Sequence, residues 1–316
     1  MGHMVIEQKL TLNSSNVSDD ASMEWKDLPG AVTAGDQVQV NFESDGTTAR
    51  FPGEIYEAIS DNVTGYPPAS PSEWLFIGAI NKHRMFDGRN NSRTVADSGE
   101  DITISVTPEG RCKFVYFIGL RNVRKVDVTI NGTDDFSADL LISYTAIGWY
   151  SWLFDIKAVD RAYRRSAGFY IVTGVTPPYQ PTITITLYSS DKPAECGQVI
   201  VGTGFYLGDT EWGVEPELRD YSTYEADVFG NRTLVPRQTT RNVRGTLWVP
   251  TNDYDRVYQI FESRMNALAL YDFNNGDDIS ASDVKDSLRV YGKLTSASGG
   301  LQYSKTPINL QIEGND

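Results

Sequence analysis

The chain has 316 residues, room for two or three domains, and its 40% hydrophobic content with 11% aromatics excludes a disordered protein. Twenty-eight Lys and Arg against 42 Asp and Glu leave a formal charge of −14, which argues against tracking a nucleic-acid backbone. No apolar window of about 18 residues occurs and no basic segment precedes an apolar one, so neither a membrane span nor a secretory signal is expected.

Met1-Gly2-His3-Met4 reads as a cloning remnant with the native start at Met4. Val5 to Asn16 alternates weakly through Ile6, Leu10 and Leu12, as an arm or edge strand does. Val38 and Val40, Ile55 to Ile59, and Trp74 to Ile77 mark three short strands. Between the first two lies a polar hairpin from Phe42 to Arg50, and a Pro- and Ser-rich loop spans Asn62 to Ser72. The order Trp25, Gly35, Asp36, Val38, Tyr56, Ala58, Pro71, Trp74 resembles the small chitin- and cellulose-binding modules of the type 5/12 family. Such modules stack pyranose rings on aromatic faces. The resemblance therefore offers Tyr56, Tyr66 and Trp74 as carbohydrate-binding residues. The competing reading makes Trp25 and Trp74 the core of a domain too small to have another.

After the connector Asn81 to Gly88, residues 81–205 read as a series of strands. Ile102, Ile104 and Val106 alternate, Phe114 to Ile118 forms a buried run, and Val126, Val128 and Ile130 alternate again. Phe169 to Val172 and Ile183, Ile185, Leu187 follow, with turns every 10 to 15 residues or so. This pattern predicts an antiparallel β-sandwich of jelly-roll type. The Trp149-Tyr150-Ser151-Trp152 cluster reads as half core, because neighbouring strand residues face opposite sides. Arg161 to Arg165 reads as a solvated loop or edge.

From Val199 the glycines Gly202, Gly204 and Gly208 interrupt an apolar run, as closely approaching strands require. Phe229-Gly230-Asn231 predicts a hairpin turn, and Val243 to Val249 alternates. One amphipathic helix is expected from Asn252 or Asp253, with Val257, Ile260, Phe261, Met265 and Leu268 on its apolar face. Leu270 to Phe273, Leu288 to Gly292 and Ile308 to Ile312 complete the strands. The run Cys196-Gly197-Gln198, Val201-Gly202, Leu207-Gly208, Tyr221-Ser222, Phe229-Gly230-Asn231-Arg232-Thr233 and Pro236-Arg237, with the connector Asn81-Lys82-His83-Arg84-Met85-Phe86-Asp87, resembles tail-tip proteins of siphophage-like phages and prophages.

Catalytic signatures are missing from the sequence. His83 stands alone outside the N-terminal remnant, and no Gly-x-Ser-x-Gly elbow accompanies it. Asn274 to Asp278 with Asp283 reads as a polar turn without the spacing of a calcium loop. Cys112 and Cys196 are expected as buried thiols rather than a disulfide.

The expectation is a mainly β chain: a small carbohydrate-binding-module-like domain at 4–80, an antiparallel β-sandwich at 81–205, and a C-terminal α+β domain at 206–316. The resemblance implies a non-enzymatic structural component of a phage tail tip or baseplate, made in the host cytoplasm and located in the virion, without cofactor or metal. Its implied partners are other tail proteins, further copies of itself and a host-surface polysaccharide, with no nucleic acid. The alternative is a glycan-binding adhesin or accessory carbohydrate-binding protein. A glycan hydrolase ranks third.

Overall fold

The computed structural model describes residues 2–315 except 21, 29, 31, 90–91, 98–99, 142–162, 172–175, 191, 227–228, 231 and 275–284, with backbone alone for Asp134 and Ala226. The Trp149–Trp152 cluster, Arg161 and the acidic turn beyond Asn274 lie outside the described residues. The protein is mainly β, its sheets are antiparallel almost throughout, and Tyr254–Arg264 is an α-helix.

A five-stranded sheet runs in the order Asp134–Asp139, Val123–Ile130, Ile183–Ser189, Ile102–Pro108, Leu10–Ser15. Ile102, Ile104, Val106, Val126, Val128, Ile130, Ile183 and Ile185 are fully buried, each separated from the next along its strand by a less buried residue. That period of two places them on one face. They pack against Val115 and Phe117 of Phe114–Ile118 and Val199 and Val201 of Gln198–Thr210, giving a β-sandwich.

The second sheet has nine strands. Its order is Ser166–Tyr170, Phe114–Ile118, Gln198–Thr210, Gly2–Glu7, Leu268–Asp272, Arg289–Gly299, Lys305–Gly314, Thr239–Pro250, Glu215–Asp220. It also curls onto itself: Asp209 and Thr210 pair with Trp248 and Leu247. The closure turns six strands, from Gln198–Thr210 round to Thr239–Pro250, into a barrel. Met4, Leu207, Leu247, Tyr271, Leu294 and Ile312 share its core with Val257 and Phe261 of the helix. Burying each of those two helix side chains contributes about 1.5–3 kcal/mol.

Gln198–Thr210 thus serves both sandwich and barrel, and the expected boundary at 205/206 falls inside it. A side chain at Gly202 would run into the Ile6 carbonyl, and one at Gly208, where φ is +139°, into the Trp248 carbonyl. These glycines let the strand serve two neighbours at once.

The N-terminal segment departs from expectation in part: Leu10–Ser15 is the edge strand expected, and Gly2–Glu7 is not. Gly2–Glu7, including the supposed remnant residues Gly2 and His3, is an interior strand of the nine-stranded sheet, and Leu10–Ser15 edges the sandwich. Met4 and Val5 are both fully buried. A strand covered on both faces loses the alternation by which strands are recognised, so its sequence reads as a weak edge. The small module is therefore a four-stranded sheet of Met23–Glu24, Gln37–Phe42, Ala49–Ala58 and Trp74–Ala79.

The helix also ends earlier than its periodicity suggests. Leu268 opens the strand Leu268–Asp272, paired with Lys293, and Met265 is exposed.

Candidate interaction surfaces

The three expected sugar-binding aromatics lie together in the core of the small module. Trp74 is 2% exposed, and its indole Nε1–H donates to the Gly65 carbonyl at 3.0 Å. Tyr56 is 8% exposed, its hydroxyl donates to Glu54 Oε2 at 2.8 Å, and burial followed by that carboxylate pushes its pKa up. Tyr66 is partly buried, donates its hydroxyl to the Phe42 carbonyl at 2.9 Å, and meets Trp25 edge-on at 5.1 Å. Val32, Val38, Val40 and Val63 complete this core. A pyranose needs an open ring face, and Trp74 and Tyr56 do not present one.

The rings and aliphatic groups open to solvent lie elsewhere. Trp74–Ala79 is an edge strand, and Leu75, Phe76 and Ile77 are all exposed, Leu75 by 54%. A register shift beyond Phe76 interrupts the alternation that would otherwise bury every second residue. The Arg89 guanidinium lies 5.3 Å from the Phe76 ring centre.

The larger exposed surface is a β-hairpin. Glu215–Asp220 pairs with the first half of Thr239–Pro250 at the edge of the nine-stranded sheet. Beyond that pair the chain continues through Tyr221, whose N–H donates to the Gln238 carbonyl, into the separate ribbon Thr223–Ala226 and Arg232–Val235. The four strand residues Thr223–Ala226 span about 13 Å. Tyr224 is 70% exposed and Phe229 86%, with Leu218 and Leu234 also open and Trp212 at 92% near the base. Among the described residues no layer covers this two-stranded ribbon, and such a ribbon alone is marginal in water. Phe229-Gly230-Asn231 is legible as a turn, but nothing in the sequence distinguishes a hairpin that packs from one that projects.

The connector behind these surfaces is fixed by its own polar groups. The Asn81 N–H donates to Asp20 Oδ2 at 2.7 Å, and its Nδ2 donates to the Val95 carbonyl at 2.9 Å. Met85 and Phe86 insert into the sandwich core. His83 is buried: its Nδ1 accepts the Gly53 N–H at 2.6 Å, and its ring meets Phe51 edge-on at 4.9 Å. Burial, then Lys82, lowers its pKa to about 4, so it sits neutral as a structural acceptor. Cys112 and Cys196 are free and buried. Among the described residues, no group of three or more His, Cys, Asp or Glu stands ready to hold a metal, and no helix is long and apolar enough to cross a membrane.

Compared with family models, curated proteins and solved structures, the chain finds no match.

Proposed function

We propose that this chain is a structural subunit of a phage tail tip or baseplate that builds its assembly through the hairpin beyond Asp220. The observation that carries the reading is the separate two-stranded ribbon with Tyr224, Phe229 and Leu234 exposed. Exposed aromatics on a two-stranded ribbon match a segment whose covering layer is a neighbouring subunit. The tail-tip resemblance of the connector and of the run from Cys196 to Arg237 supplies the kind of assembly. Closed symmetric rings are the usual form of such subunits. In this reading the small module makes the contact with host-surface glycan, through groups other than the buried Tyr56 and Trp74.

Particles purified from an induced or lysed source culture on a density gradient, probed with antibody against this chain, test the reading. A signal at fixed stoichiometry with intact particles is expected. Confinement to soluble or cell-wall fractions overturns it in favour of the adhesin. Sedimentation of purified protein carrying Tyr224→Ser and Phe229→Ser tests the hairpin: self-association or capture by particles falls while the melting curve stays unchanged.

A further inference from the structure

Glu215–Asp220 is the last strand of the nine-stranded sheet, and among the described residues no strand lies on its outer side. All of its residues are exposed, Leu218 by 71%. Its inner side is taken along the whole length, from Glu215 opposite Arg244 to Asp220 opposite Thr239.

Successive residues of a strand send their N–H and C=O groups to opposite sides. Tyr221, directly after the strand, donates its N–H inward to the Gln238 carbonyl at 3.2 Å. Counting back in twos, Arg219 and Glu217 also point inward, which leaves Leu218 and Asp220 aimed at the open side. Pro216 falls in the outward set, where its missing N–H removes no bond from the sheet. The open edge therefore offers the carbonyls of Pro216, Leu218 and Asp220 with the N–H groups of Leu218 and Asp220. Glu217 and Arg219 share one face, on either side of Leu218. Glu217 Oε2 lies 3.7 Å from Arg244 Nη2, with both side chains largely in solvent. Arg219 stands opposite Thr240, its guanidinium 5.2 Å from the Tyr221 ring centre, so no carboxylate faces it across its own sheet.

We propose that Glu215–Asp220 pairs antiparallel with the same strand of a second copy of this chain, about a two-fold axis through Leu218. In that register Glu217 of each copy stands directly opposite Arg219 of the other, and symmetry makes the pair twice. The two Leu218 residues exchange hydrogen bonds, and each Asp220 N–H meets a Pro216 carbonyl. Centring the axis on Glu217 or Arg219 sets like charges face to face. Centring it between residues sets outward-pointing groups against inward-pointing ones. Charges that discourage an arbitrary strand from joining this edge thus select its own copy in one register. The pairing also brings the end carrying Trp212, 92% exposed, to the Tyr221–Tyr224 end of the second copy, where Tyr224 is 70% exposed. It requires only the folded chain and is independent of the tail-tip reading.

Sedimentation of the purified full chain over a concentration series, with cysteine cross-linking, tests the contact. A monomer–dimer equilibrium is expected, and under mild oxidation Leu218→Cys forms a disulfide-linked dimer. The native thiols Cys112 and Cys196 are buried, and Tyr303→Cys, at a fully exposed position, serves as the control for random collision. Arg219→Glu weakens the dimer about tenfold or more, because one substitution reverses two contacts. Adding Glu217→Arg to it restores the opposite charges and recovers the affinity. Circular dichroism checks that each variant is folded. A chain that stays monomeric throughout overturns the proposal. So does Leu218→Cys linking no faster than Tyr303→Cys, or a folded double variant that dimerises no better than Arg219→Glu.

Discussion

Tyr291 donates its hydroxyl to Glu7 Oε2 at 3.0 Å, joining side chains 284 positions apart. Gln198 donates to the other oxygen at 3.5 Å and also accepts the Gly88 N–H, so sandwich, barrel and connector meet at one carboxyl. Burial raises the Glu7 pKa from 4.5 to about 7, against the Tyr291 hydrogen bond and with help from nearby Asp87.

A carboxyl with this shift holds its proton more tightly folded than unfolded. Its contribution to stability is complete below pH 4.5 and is lost as pH rises towards 7. His83, lowered from 6.5 to about 4, works in the opposite sense: its contribution is complete above pH 6.5 and is lost as pH falls towards 4. Over the shared window the two slopes oppose each other. Glu7→Gln relative to wild type therefore gains stability from pH 4.5 upward, reaching about 3 kcal/mol near pH 7. His83→Asn, relative to wild type, gains stability as pH falls from 6.5 towards 4. Urea midpoints measured at each pH check both, and parallel profiles for Glu7→Gln and wild type refute the assignment.

Asp272 and Arg289 form a buried ion pair, and Asp272 also accepts the Tyr116 hydroxyl at 3.2 Å and the Asn274 N–H at 2.9 Å. Removing one partner strands the other charge. Asp272→Asn is expected to destabilise the protein by about 3–5 kcal/mol, and pairing it with Arg289→Met to lose less than the two single changes added together. Denaturant unfolding of the four proteins measures the coupling.

Trp74→Ala separates core from platform. With its indole enclosed and bonded to Gly65, the substitution is expected to destabilise the small module by about 3–5 kcal/mol. Phe76→Ser, on the exposed edge strand, is expected to change stability by less than about 0.5 kcal/mol. Thermal melts followed by tryptophan fluorescence distinguish them. A Trp74→Ala protein that melts like wild type would reopen the stacking role.

Both thiols are shielded. Burial pushes Cys112 up to about 12 and Cys196 higher still. Neither is expected to react with a thiol reagent in the native state at neutral pH, and both are expected to react after unfolding. Native labelling at the unfolded rate would show that the cores open.

Strands are readable from the sequence where one face is buried and the other is not. Ile102, Ile104 and Val106 alternate in sequence and in burial alike. The helix start is readable too, but Leu268 extends the helical spacing by chance into the next strand, where pairing with Lys293 decides its place. The interior strand at Gly2–Glu7 lacks alternation because both its faces are covered. Tyr56 and Trp74 have the composition of a binding face and the position of a core, and composition alone does not separate the two. A cavity lined by Arg93, Arg121, Arg165, Arg241 and Arg289 has no local signature, since its residues come from distant segments.

The place of Gly2–Glu7 between Gln198–Thr210 and Leu268–Asp272 also fixes an order of events on the ribosome. This strand is made before both its neighbours, the first of which follows some two hundred residues later. At typical synthesis rates of about 5–20 residues per second, Met4 and Val5 wait roughly 10–40 s without their native partners. During that interval this apolar segment is open to chaperones and to the wrong strand edges. Slowing translation between these segments is thus a route to lower yield that leaves the finished fold untouched.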